Sequence, residues 1–175
     1  TKIHSCAFTE WYLEYDTSTI YIGMIPSSSQ KSQDVVIELS ILPAMFSHNK
    51  QMNVSNIHLE NIIVDKFSTP AQFGAISPSG KNWKLFKVEV KNNHGRGIDI
   101  NYNAIVNASH IHHNGQLGLG GHDGMLLNSE VNHNNMAGFS HGWEAGGFKF
   151  VGYHTKVIGN HIHNNNGTGM WADIG

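Results

Sequence analysis

Two acids, Glu144 and Asp173, stand on either side of Lys149 in a chain that also places Trp143 and Trp171 close by. Glycoside hydrolysis needs two carboxyl groups flanking the scissile bond, about 5 Å apart when configuration is retained. An ammonium beside a carboxylate keeps it ionised. Exposed indole faces stack on pyranose rings, while acids and amides bond sugar hydroxyls. Asp99, Asn101, His122 and Asp123 extend this polar set. Spread along a chain, such residues are only solvated side chains. Their chemistry depends on elements that bring them to one surface.

A second set of chemistry-bearing residues is histidine. His110 and His112, like His161 and His163, are two residues apart, so each pair faces one side of a strand and could grip a metal. No carboxylate stands at a fixed offset from them along the chain. These pairs are therefore read as solvated or stacked side chains, and no metal site is assigned.

The positioning elements follow from an internal repeat. Ile111-His112-His113-Asn114 precedes Gly118, and the phrase returns as Val131-Asn132-His133-Asn134 and as Ile162-His163-Asn164-Asn165 before Gly169. A weaker copy is Val90-Lys91-Asn92-Asn93 before Gly97, and an older one runs from Ile57-His58-Leu59 through Ile62-Ile63-Val64 to Gly74. Leu85, Val106, Leu126 and Val157 each precede a copy by five residues. The period is about 21 residues, the length of a solenoid coil built from short strands and turns. Aliphatic residues at two-residue steps point into a core while their neighbours face out. Stacked coils would align Asn93, Asn114, Asn134 and Asn165 in a ladder that satisfies turn amides. The repeated glycine is expected to supply a positive φ where the coil turns.

One coil breaks the period, with Phe139 to Gly146 inserted before Gly147. Placing Gly147 in register with Gly97, Gly118 and Gly169 stacks Phe148-Lys149-Phe150 between Leu119-Gly120-Gly121 and Met170-Trp171-Ala172. The alternative register uses Gly138. In the preferred one, an outward groove holds Asp99, Asn101, His122, Asp123, Lys149, Trp171 and Asp173, with Trp143 and Glu144 at its lip. Glu144 and Asp173 are then one coil apart, a candidate catalytic pair by spacing.

The repeat over residues 51–175 resembles the right-handed parallel β-helices of the pectate-lyase-like superfamily. The resemblance implies an all-β fold, a solenoid of stacked coils. A second resemblance lies in Glu144-Ala145-Gly146-Gly147-Phe148-Lys149-Phe150, Asn160-His161-Ile162-His163-Asn164-Asn165 and Gly169-Met170-Trp171-Ala172-Asp173. These phrases are similar to the catalytic coils of β-helical β-xylosidases. That resemblance implies that Asp173 is a nucleophile and that Glu144 lies in the same site. It also implies a general acid/base glutamate on the next coil, beyond Gly175.

Residues 1–50 do not fit the repeat and are expected to form a β-rich segment that caps or adjoins the first coil. Trp11–Tyr15 and Ile20–Met24 read as a hairpin about Asp16-Thr17-Ser18-Thr19, Pro26–Asp34 as a loop, and Val35–Leu42 as a strand. The helix, residues 51–175, stops in mid-pattern, so further C-terminal coils of a parent chain are expected as its partner.

Composition narrows the function. Charged residues are 14% of the chain, the formal charge is −2 and Arg96 is the only arginine, so the basic footprint of a nucleic-acid binder is missing. No apolar run has the length of a membrane span, and the single Cys6 excludes a disulfide framework. The expectation is a secreted, extracellular or cell-surface protein acting on a polysaccharide or oligosaccharide, as a glycoside hydrolase without a cofactor. Two alternatives stand beside it. One is a polysaccharide lyase of uronate polymers, with Lys149 or Arg96 as base or clamp and Ca²⁺ held by Asp99, Asp123 and Asp173. The other is a glycan-binding surface module without catalysis.

Overall fold

Short apolar phrases at a fixed spacing can bury themselves only against their own copies, and that is what they do. The computed structural model describes residues 11–22, 38–46 and 53–173. The chain divides into two compact units, Thr1–Glu38 and Leu39–Gly175.

In the first unit, β1 (Trp11–Glu14) and β2 (Thr19–Ile22) pair antiparallel, with Trp11 opposite Ile22 and Glu14 opposite Thr19. The turn between them closes with the Ser18 amide donating to the Tyr15 carbonyl at 3.3 Å, and Ser18 takes a φ of 51°. The hairpin expected from the sequence is present over the described residues. The Pro26–Asp34 loop lies outside the described residues. The strand expected over Val35–Leu42 does not form in its described part: residues 38–42 carry no ladder, and Leu39, Ile41 and Leu42 stay exposed.

The second unit is a parallel β-solenoid with three strands per coil. The first coil contributes β3 (His58–Glu60), β4 (Ile63–Asp65) and β5 (Gly74–Ile76). Next come β6 (Lys84–Phe86), β7 (Glu89–Lys91) and β8 (Arg96–Ile100). The third coil holds β9 (Ile105–Asn107), β10 (His110–His112) and β11 (Leu117–His122). The fourth holds β12 (Met125–Leu127), β13 (Glu130–Asn132) and β14 (Gly146–Val151), and the fifth β15 (Lys156–Ile158), β16 (His161–His163) and β17 (Thr168–Asp173). Like strands stack into three five-stranded parallel sheets, and no helix occurs among the described residues.

Each of the three solenoid sheets sends one apolar column inward. Val64, Val90, Ile111 and Val131 form one, Leu85, Val106 and Leu126 another, and Ile76, Ile98, Leu119 and Phe148 the third, all buried in a single core. Each such side chain contributes about 1.5–3 kcal/mol by leaving water.

At the turn after the β7–β10–β13–β16 sheet, the asparagines run through the stack as expected. Asn93 Nδ2 donates to Asn114 Oδ1 at 2.9 Å, Asn114 to Asn134 at 3.0 Å, and Asn134 to Asn165 at 2.9 Å. The same oxygens accept the backbone amides of Asn93, Asn114 and Asn134. Each of these amide groups thus answers turn groups that neither sheet can pair.

The repeated glycine has another purpose than the one expected. Gly97, Gly118, Gly147 and Gly169 do not adopt positive φ, which falls instead on Asn92, His113, His133 and Asn164. A Cβ on Gly97, Gly118 or Gly147 would lie 2.7–2.8 Å from the Nδ2 of Asn114, Asn134 or Asn165. Glycine recurs there because the ladder amide and the carbonyl oxygen of the next coil's glycine, 2.4–2.9 Å from that Cβ, leave no space for a side chain.

Candidate functional site

The strand register decides which polar residues meet. Leu119 pairs with Phe148 and Phe148 with Met170, so Gly147 stands in line with Gly118 and Gly169. Asp99, Gly120, Lys149 and Trp171 are successive partners across β8, β11, β14 and β17 and form one column. Phe148 is buried in the core, so Lys149 beside it projects from the opposite face of the strand.

Lys149 is the centre of this face. Its Nζ donates to Glu144 Oε1 at 2.8 Å and lies 2.9 Å from Asp173 Oδ2. It also sits 4.7 Å from the centre of the Trp171 ring, a cation–π contact. One ammonium therefore brings the two carboxylates onto the same face of the sheet. Burial pulls the Lys149 ammonium down, but the bonds and charges of Glu144 and Asp173 outweigh it and raise the group above its ordinary value.

Glu144 comes from the insertion, whose shape is fixed locally. Asn135 donates to the Phe139 carbonyl at 2.9 Å and accepts the Phe139 amide at 2.8 Å, and it reaches the Asn166 carbonyl at 2.7 Å. The Trp143 amide closes a turn onto the Ser140 carbonyl. Glu144 Oε2 accepts from Arg96 Nη2. Burial pushes the Glu144 carboxyl up, but the Lys149 hydrogen bond and the Arg96 and Lys149 charges hold it below the usual carboxylate range.

Arg96 reaches Glu144 across a gap that the sequence leaves open. A Cβ on Gly120 would lie 2.8 Å from Arg96 Nη1, so the guanidinium lies over the one member of the column that has no side chain. Asp99 fixes its near end, accepting from Arg96 Nη1 at 3.0 Å, from Ser77 Oγ at 3.0 Å and from the Gly74 amide at 2.8 Å. The cleft beside this chain of charges has a volume of about 260 Å³ and is lined by Arg96, Asp99, Asn101, His122, Glu144 and Lys149 among others.

The nine residues singled out from the sequence separate accordingly. Asp99, Asn101, His122, Glu144 and Lys149 line the cleft, and Asp173 and Trp171 join it through Lys149. Asp99 is occupied with three protein donors and serves to hold Arg96. Trp143 is half-exposed and packs against Phe139, 6.0 Å between ring centres, outside the cleft lining. Asp123 lies at the β11–β12 turn with φ 45°, where its Oδ1 accepts the His154 amide at 3.1 Å. Sequence reasoning met Arg96 only as a lone cation. Gly120, directly below Lys149 in the stack, is the signal that would have located it.

Asp99, Asp123 and Asp173 do not gather around a shared point. Asp99 and Asp173 each bond a protein cation, and Asp123 turns to His154. Comparison with protein-family models, with curated proteins and with solved structures finds no match for this chain.

Proposed function

We propose that this face binds a glycan and cleaves it as a retaining glycoside hydrolase, with Asp173 as the nucleophile. The observation that carries the reading is the Lys149 ammonium, which bonds Glu144 and Asp173 at once while lying over Trp171. Among the described residues Glu144 bonds both Arg96 and Lys149 whereas Asp173 bonds Lys149 alone, so Asp173 is the one a sugar carbon can approach. The similarity of Glu144–Phe150 and Gly169–Asp173 to β-helical β-xylosidases points the same way.

In this mechanism Asp173 attacks the anomeric carbon, the glycosidic bond breaks, and a glycosyl-enzyme ester forms that water then hydrolyses. Glu144 and Lys149 position Asp173, and Arg96 holds Glu144. Both acids bond one cation, so neither is the proton donor to the leaving oxygen. The resemblance to the β-helical β-xylosidases gives that role to a glutamate outside this pair. The substrate is an oligosaccharide or polysaccharide met outside the cell. A calcium-dependent lyase is the weaker reading, because Asp99 and Asp173 are each bonded to a protein cation and Asp123 is held by the His154 amide.

The full-length protein should hydrolyse a member of a panel of aryl glycosides and release a sugar whose anomeric configuration, followed by NMR, is first that of the substrate. Inverted product would overturn the nucleophile assignment. Unsaturated products from uronate polymers with Ca²⁺ would establish the lyase, and glycan retention without turnover would establish a binding module.

A further inference from the structure

The outer face of the β7–β10–β13–β16 sheet carries a second cluster, on a different sheet from the cleft. Register brings Glu89, His110, Glu130 and His161 into one column, and Lys91, His112, Asn132 and His163 into the next. Carboxylate and imidazole therefore alternate up the stack. Along the chain no acid stands at a fixed offset from the histidine pairs, because the acid is supplied by the neighbouring coil.

We propose that Glu130, His161 and His163 form a binding site for a divalent transition metal of the zinc class. One ligand atom from each lies within 4.8 Å of the others. His161 and His163 are two residues apart on β16, so both rings leave the same face, and they stack at 4.0 Å with an angle of 24° between planes. Glu130 is the register partner of His161 on β13, and its Oε1 already lies 2.9 Å from His163 Nε2. In a tetrahedral site with bonds near 2.1 Å, ligand atoms stand roughly 3.4 Å apart, so small side-chain rotations complete this one. Asn132 donates to Glu130 Oε1 at 2.6 Å, the outer bond that orients a ligating carboxylate.

The ligand chemistry selects the metal class. Two imidazoles and one carboxylate suit zinc and its neighbours, whereas calcium and magnesium take oxygen sets. Three protein ligands leave a fourth position for water. That arrangement belongs to open sites and not to closed structural ones. His161 is exposed, and the Glu130 and His163 side chains are 44% and 26% exposed, so an ion can enter from solvent. His110, whose Nε2 is 4.0 Å from Glu130 Oε1, lies outside the set. The proposal does not depend on the hydrolase reading, since none of its residues lines the cleft.

Calorimetric titration of the full-length protein with Zn²⁺ tests it, with Co²⁺ substitution reporting geometry through its visible absorption. The unaltered protein should bind one equivalent at this cluster, with the intense visible bands of four-coordinate cobalt. His161→Ala/His163→Ala and Glu130→Gln should each weaken binding by at least about tenfold, the scale reached by loss of outer-shell partners alone. His110→Ala should leave affinity and spectrum unchanged. Circular dichroism checks that the coils persist in each variant. Absence of binding to the unaltered protein, or equal binding by the double variant, overturns the site.

Discussion

Asp173→Asn should lower the turnover of an aryl glycoside by about 10³-fold or more, because an amide cannot form the glycosyl ester on which retention depends. The size of the loss follows from what the residue does: a group that bonds carbon in the reaction cannot be replaced by one that only accepts a hydrogen bond. Asp173→Ala adds a sharper outcome. Azide can enter the vacated space and attack the anomeric carbon directly, giving a glycosyl azide of inverted configuration and restoring part of the rate. The loss should not come from unfolding, since Asp173 is on an outward column of β17 and outside the core, and its one partner among the described residues is Lys149. Turnover of Asp173→Asn within a few-fold of the unaltered protein would remove Asp173 from the chemistry.

The largest stability effect belongs to the asparagine ladder. Asn134→Ala should lower the unfolding free energy by about 3 kcal/mol or more, measured by urea denaturation. Asn134 Oδ1 accepts both the backbone amide and the side-chain amide of Asn114, at 3.1 and 3.0 Å. Its Nδ2 donates to the Ile111 carbonyl at 3.2 Å, to the Asn132 carbonyl at 3.0 Å and to Asn165 Oδ1 at 2.9 Å. Asn114 and Asn134 are fully buried, so the orphaned donors of Asn114 would find no water, at about 1–3 kcal/mol each. Asn107→Ala should cost clearly less, because its Oδ1 accepts the exposed Asn128 Nδ2 at 3.1 Å, a donor that water can satisfy instead. Equal costs at the two positions would mean that the ladder does not act by satisfying buried groups.

These residues also show what a sequence can reveal about such a molecule. The aliphatic–Asn–Gly phrase marked the coils because each of its members meets its own copy, and the step between asparagines is 21, then 20, then 31 residues. The long step is the insertion, visible as a broken period. Its register followed from Gly147, and with it the meeting of Glu144, Lys149 and Asp173. The purpose of that glycine was not visible. The Gly169 carbonyl and Asn165 Nδ2 that exclude a side chain there belong to the next coil, and a chain read in one dimension offers φ as the only motive. Arg96 was hidden for a related reason: its partner Glu144 is 48 residues away and is reached over Gly120. Asp123 has the same residue type as Asp99, yet it lies in the turn after β11 and not within a strand, and its turn conformation directs it to His154. The acid completing the histidine cluster escaped notice because its distance is set by the stack and not by the chain.

The central claim is that Asp173 forms a covalent bond to a sugar. Incubating the full-length protein with 2-deoxy-2-fluoro glycosyl fluorides slows release of the intermediate, and peptide mapping by mass spectrometry locates the label. The account predicts one added fluorosugar, on the peptide and residue of Asp173, for the sugar whose aryl glycoside is turned over. A label on Glu144 or another acid, or turnover of the aryl glycoside with no adduct at all, would contradict it.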